Sequence, residues 1–246
     1  MSSSGVSNVG SQRRPLIAIY YDQGVWQAGR EAVEHMLTAR HVSWQRVTAK
    51  AVNGGDLEGF DVFWLPGGWS GDYWSRISGR GMEHLRQFVR QGGGFVGICA
   101  GAFFASALIV WEGESFDYPV GLFAGQTVGP VTEIAPWPQC AMTAIDLSPQ
   151  HPVSSALSPI RRQLYYGGPI FVPNGNQPVE IVATYAQTGE PAAIAFQYGN
   201  GRVFLSGLHF ETGTDCVGRD DGDVGVMPAP EADWEFGWAL LDWLLG

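Results

Sequence analysis

The stretch Gly94-Phe95-Val96-Gly97-Ile98-Cys99-Ala100-Gly101-Ala102 decides the fold. Residues 95–98 form a short apolar run of buried-strand type. Residues 100–109 are apolar throughout and read as a small helix. Cys99 falls at the junction. A G-x-C-x-G motif between strand and helix is the cysteine version of the G-x-S-x-G nucleophile elbow. The sharp turn strains the nucleophile's backbone, and the crowding beside it leaves room only for glycine at 97 and 101. The side chain then stands above the sheet at the next helix's N-terminus, where the dipole favours a thiolate. The competing reading is plain: a free cysteine is most often a small buried hydrophobe. Cys140 and Cys216 sit in no such context and read as structural.

Outward from the elbow, strands and helices alternate. On the N-terminal side, residues 16–21 (LIAIYY) read as the first strand. Residues 27–39 read as a helix with Ala32, His35, Met36 and Ala39 on one side. Residues 42–47 and 61–65 read as further strands, the latter ending at Pro66-Gly67-Gly68. Residues 81–90 are amphipathic and stop at Gly92-Gly93-Gly94. This alternation predicts a parallel sheet covered on both faces. From about 121 to 207 the pattern turns β-rich, with strands expected at 126–134, 141–147, 179–185, 192–198 and 202–206. The turn signal in Tyr198-Gly199-Asn200-Gly201 predicts a hairpin between the last two. Residues 211–230 read as a long loop. Residues 231–244 read as a closing helix with Trp234, Trp238, Leu241 and Leu245 inward. No linker divides the chain, so residues 15–246 are expected to be one domain behind a disordered tail, 1–14.

A thiol nucleophile needs a base, and the base an orienting partner. His209 follows a strand, and Glu211 is placed to bond its far ring nitrogen. If that strand lies in the sheet, His209 reaches the same carboxyl edge as Cys99, where ligands collect in open α/β sheets. Oxyanion donors are expected from the Gly68 and Ala100 N–H groups. Aromatic residues are dense in the same segments: Trp69, Tyr73, Trp74, Trp111, Tyr165 and Tyr166. Such walls suit a small amide or ester with an apolar group, although aromatic residues are commonly core. Gly92, Gly94 and Gly97 match the dinucleotide fingerprint by letter, but they precede and run through a strand instead of following one. The acidic run Asp220-Asp221-Gly222-Asp223 lacks calcium-loop spacing. No cofactor or metal ligand set is expected.

The 246 residues carry a net charge of −10, which repels phosphate backbones and argues against a nucleic-acid partner. Three widely spaced cysteines form no disulfide framework. No leader-like apolar segment opens the chain, and no run approaches the roughly 20 residues of a membrane span. A cytoplasmic location is the expectation, with no membrane partner and a homo-oligomer left open.

These residues resemble the class I glutamine amidotransferase-like superfamily. They are most similar there to the family named for the N-terminal domain of biotin-protein ligase. The elbow from Gly92 to Phe103 and the Pro66-Gly67-Gly68 turn followed by Tyr73 carry the likeness. So do Trp111-Glu112, Phe123-Ala124-Gly125, Gly129-Pro130 and Tyr165-Tyr166-Gly167-Gly168-Pro169. The resemblance implies a flavodoxin-like three-layer α/β sandwich with a mostly parallel central sheet and an extra β-rich second half. It implies a Cys99–His209–Glu211 triad, with Gly67, Tyr73, Trp111, Tyr166, Gly167 and Gly168 at the substrate. Glutamine amidotransferases typically carry Gln where this chain has Phe103, which argues against glutamine as substrate. The reading is a cysteine hydrolase or amidotransferase-like enzyme on a small amide. Its rivals are a non-catalytic binding module that retains the site and a redox-sensing cysteine protein.

Overall fold

Apolar runs alternating with amphipathic helices build the first half of the chain. The computed structural model describes residues 14–117, 120–217 and 232–246. In order come β1 (Leu16–Tyr20), α1 (Gln27–Ala39), β2 (Ser43–Val47), α2 (Ala49–Gly54), β3 (Val62–Leu65), α3 (Ser70–Arg76), α4 (Gly79–Arg90), β4 (Gly94–Ile98) and α5 (Ala100–Ala105). The second half runs through β5 (Ser106–Trp111), β6 (Glu114–Asp117), β7 (Phe123–Gly129), β8 (Ala141–Leu147), β9 (Ile160–Tyr165), β10 (Ile170–Val172), β11 (Glu180–Tyr185), β12 (Pro191–Tyr198), β13 (Gly201–Ser206) and β14 (Leu208–His209), then α6 (Trp234–Leu245). No described helix is long and apolar enough to cross a membrane.

Ten strands form one sheet in the order β14-β9-β8-β11-β12-β13-β4-β3-β1-β2. From β13 to β2 every neighbour is parallel, and from β13 to β14 every neighbour is antiparallel. The sheet is therefore mixed, with four parallel and five antiparallel pairings, and not mostly parallel as expected. The parallel order belongs to the alternating first half and its seam with β13, beyond which the hairpin-rich second half adds antiparallel strands to this sheet. A second sheet, β10-β7-β5-β6, stands apart.

Successive side chains along β1 enter opposite cores, as a sheet covered on both faces requires. Ile17 and Ile19 of β1 pack on the face that carries Val33, Met36 and Leu37 of α1 and Phe236, Leu240 and Leu241 of α6. Ala18 and Tyr20 pack on the opposite face with Leu85 and Val89 of α4 and Phe104 of α5. Each fully buried side chain of this size contributes roughly 1.5–3 kcal/mol.

Four expectations change in detail. The helix expected over residues 100–109 ends at Ala105, and Ser106–Trp111 is β5. The Ser106 hydroxyl donates to the Phe103 carbonyl (2.7 Å) at the break, and Leu108-Ile109-Val110 suits a strand paired on both sides. The strand expected over 126–134 is shifted to Phe123–Gly129, because Pro130 has no N–H to continue a ladder. The inward stripe of α1 is Ala28, Ala32, Val33, Met36 and Leu37, whereas His35 and Ala39 are exposed. The inward face of α6 is Phe236, Leu240, Leu241 and Leu244, with Leu245 exposed. The hairpin forms, with Gly199 and Asn200 as its two turn residues, since Tyr198 pairs with Gly201. All but Arg14 of the tail expected over 1–14, and most of the 211–230 loop, lie outside the described residues.

Candidate active site

Three adjacent parallel strands bring the chemistry together. Leu65 of β3 pairs with Gly97 of β4, and Ser206 of β13 pairs with Ile98. The residues just past each strand, Gly67-Gly68, Cys99 and His209, therefore share one carboxyl edge. The Cys99 N–H donates to the Ser206 carbonyl (2.7 Å), tying the elbow to β13.

Cys99 has φ +50° and ψ −106°, outside the regions an L-residue favours. This is the strained turn that the motif demands. A Cβ at Gly101 would lie 2.2 Å from the Leu65 carbonyl oxygen, and one at Gly97 would lie 2.7 Å from the Gly101 carbonyl oxygen. Only glycine lets helix and strands close this tightly. The helix behind Cys99 leaves the Ala100 N–H at its first turn, where an α-helix has no internal partner to offer.

His209 and Glu211 are each 1% exposed, and Nδ1 of His209 bonds Oε1 of Glu211 at 2.7 Å. The start of α6 clasps this segment: Trp234 Nε1 donates to the Glu211 carbonyl (2.9 Å), and the Asp233 N–H donates to that of Phe210 (2.8 Å). The Trp26 ring meets His209 edge-on with centroids 5.0 Å apart. Burial alone would push the imidazole down. The Glu211 carboxylate, and after it Cys99, outweigh burial and hold His209 up at about 10. Nε2 of His209 is buried and, among the described residues, has no hydrogen-bond partner. The Cys99 thiol, 7% exposed, contacts the Tyr166 carbonyl at 3.5 Å. Sulfur and imidazole are thus neighbours, near enough to be electrostatically coupled, with the thiol turned toward Tyr166.

The Gly67-Gly68 turn is pinned from both sides. The Gly67 carbonyl accepts from the Trp26 N–H (2.9 Å) and the Tyr73 hydroxyl (2.9 Å), and the Trp69 N–H donates to Gly24 (2.8 Å). Neither backbone bond uses the Gly68 N–H. Gly68 has φ +147°, and a Cβ there would lie 1.9 Å from the Gly24 oxygen.

A cavity of about 190 Å³ opens over Cys99. Gly68, Ala100, Trp111 and Gly167 line it, together with Trp69, Phe103, Ile109, Phe116 and Trp137. Tyr166 frames it indirectly, its ring stacked on Trp137 with centroids 5.2 Å apart. Three expected substrate contacts fall elsewhere, Gly67 among them, since it faces the His209 ring. Tyr73 is fully buried beneath the turn, its hydroxyl spent on the Pro66 and Gly67 carbonyls. Gly168 packs on Gly207, where a Cβ would meet the carbonyl oxygen at 1.9 Å. Trp26, Phe116 and Trp137 were not singled out by the sequence. Trp26 could have been, because it follows the first strand and so must lie at this edge.

The fold is similar to that of solved glutamine amidotransferases. One solved glutamine amidotransferase matches with a TM-score of 0.60 and 18% identity, over 79% of this chain and 90% of its own. Another, from Thermotoga maritima, matches with a TM-score of 0.53 and 12% identity, over 83% and 80%. The chain belongs to the biotin-protein ligase N-terminal family, whose model matches residues 45–225. A biotin–protein ligase of Schizosaccharomyces pombe is 28% identical over 161 residues, covering 60% of this chain. The match spans 25% of that ligase's length.

Proposed function

We propose that this chain is a cysteine hydrolase of amidotransferase-like type acting on a small amide. Cys99 is the nucleophile, His209 carries the proton, and Glu211 orients His209. The observation that carries the reading is the strained Cys99 elbow beside an imidazole bonded to Glu211 at 2.7 Å.

The steps follow from these groups. Cys99 gives its proton to Nε2 of His209, and the sulfur lone pair forms a C–S bond to the amide carbon. The carbonyl electrons move to oxygen, which takes the Gly68 and Ala100 N–H groups. On collapse the C–N bond breaks, and the amine leaves with the proton from His209. A water then loses a proton to His209 and attacks the thioester; the C–S bond breaks, the acid leaves and the thiol is restored. Held up at about 10, His209 keeps the proton it takes from Cys99 as imidazolium, the form that protonates a leaving amine.

A second reading is a non-catalytic binding or regulatory module. It is favoured by the thiol's contact with the Tyr166 carbonyl and by the likeness to a portion of a biotin–protein ligase. Amine release from a panel of small carboxamides separates the two. The expected result is release by the wild-type chain that is lost in Cys99→Ser with an unchanged melting temperature. No release by the wild type, or release that survives in the variant, overturns the enzymatic reading.

A further inference from the structure

We infer that the cavity over Cys99 takes a neutral aromatic carboxamide, its ring held among Trp69, Trp111, Trp137 and Phe103 and its amide at the elbow. This rests on the hydrolase reading above and names its substrate class.

The walls argue first against charge. Among the described residues, no Asp, Glu, Lys or Arg lines the cavity. Apart from Cys99, the Ser70 hydroxyl and the indole N–H groups are the polar side-chain groups of its wall. Free glutamine brings an ammonium and a carboxylate, and both would lose hydration with no ion-pair partner. The net charge of −10 repels the carboxylate further. Phe103 occupies the wall from one side and packs on Trp111 with centroids 5.6 Å apart.

The same walls argue for a ring over an aliphatic chain. Trp69 and Trp111 meet at 77°, Trp111 and Trp137 at 76°, and Phe103 and Trp111 at 75°. Rings set at steep angles present both edges and faces, and a flat guest completes edge-to-face contacts that a flexible chain cannot. The mouth stays apolar: Trp69 is 50% exposed, Phe116 49% and Trp137 36%. Only the far end, with the Gly68 and Ala100 N–H groups, asks for a carbonyl.

Calorimetric titration of Cys99→Ala with phenylacetamide, acetamide and L-glutamine tests this without turnover. The expected dissociation constant for phenylacetamide is at least about tenfold below those of the other two. Trp137→Ala and, separately, the more exposed Trp69→Ala are expected to erase most of that preference while melting normally. Equal or tighter binding of glutamine or acetamide, no binding of phenylacetamide at millimolar concentration, or a preference untouched by both tryptophan variants overturns the assignment. Absence of wild-type turnover with the binding preference intact would instead remove the hydrolase reading and leave the pocket's ligand class standing.

Discussion

Gly67 lies so close to His209 that a Cβ at this position would sit 2.5 Å from the ring's Cε1, while remaining 3.5 Å from the Cys99 Cβ. The turn after β3 thus sets how near the imidazole can come to the sulfur. In Gly67→Ala the ring must swing away, because a side-chain ring yields more easily than three strands. The expected stability cost is about 1 kcal/mol. A displacement near 1 Å at reacting groups lowers turnover by on the order of 100-fold. Thermal melts beside amine-release rates check this; activity that falls only in step with stability would refute it.

Stability should depend on pH through His209. Its folded value, about 10, lies above the ordinary 6.5. The protonated pair with Glu211 therefore stabilises the fold fully below pH 6.5, and that contribution is lost as pH rises toward 10. The loss is on the order of 5 kcal/mol across that window. Urea unfolding of wild type and His209→Gln at several pH values reads it as a difference. The expected gap narrows with rising pH; a constant gap contradicts a buried imidazolium.

Cys99 also supports the imidazolium, by its nearness and its charge. In Cys99→Ala those contributions vanish, and the His209 value should fall below its wild-type position. NMR titration of the imidazole is the measurement. No downward movement would mean that sulfur and ring are uncoupled.

Tyr73 should act on the turn and not on substrate. Tyr73→Phe removes hydrogen bonds to the Pro66 and Gly67 carbonyls at 3.1 and 2.9 Å, costing about 1 kcal/mol. KM should stay unchanged while kcat declines. A KM effect alone would return Tyr73 to the substrate.

Gly101→Ala should be the harshest change at the elbow. The added Cβ would meet the Leu65 carbonyl oxygen at 2.2 Å, which is backbone and cannot rotate aside. The expected cost is about 2–3 kcal/mol, read by denaturant unfolding.

The elbow was legible in the sequence because its strand, turn and helix lie within nine consecutive residues. Glu211 was legible beside His209 for the same reason of proximity. What the sequence left open was whether β13 lies next to β4, since strand order is set by long-range pairing. The apolar run at 100–109 was ambiguous by nature: it satisfies a helix and a buried strand alike until Leu108 finds Asp117 and Gln126 as partners. In α6, apolar residues surround the helix, so periodicity alone did not separate Phe236 and Leu240 from Trp234 and Trp238. Trp137 carries no local signal at all; only the folded second half sets it against Trp111 and Tyr166.

Cysteine reactivity tests the coupling of Cys99 to His209 most directly. The measurement is the rate of Cys99 alkylation by iodoacetamide at neutral pH in a Cys140→Ser, Cys216→Ser background, with and without His209→Ala. The expected result is labelling faster than a free thiol that slows by about tenfold or more when the imidazole is removed. Labelling no faster than a free thiol, and indifferent to His209, would contradict a working nucleophile.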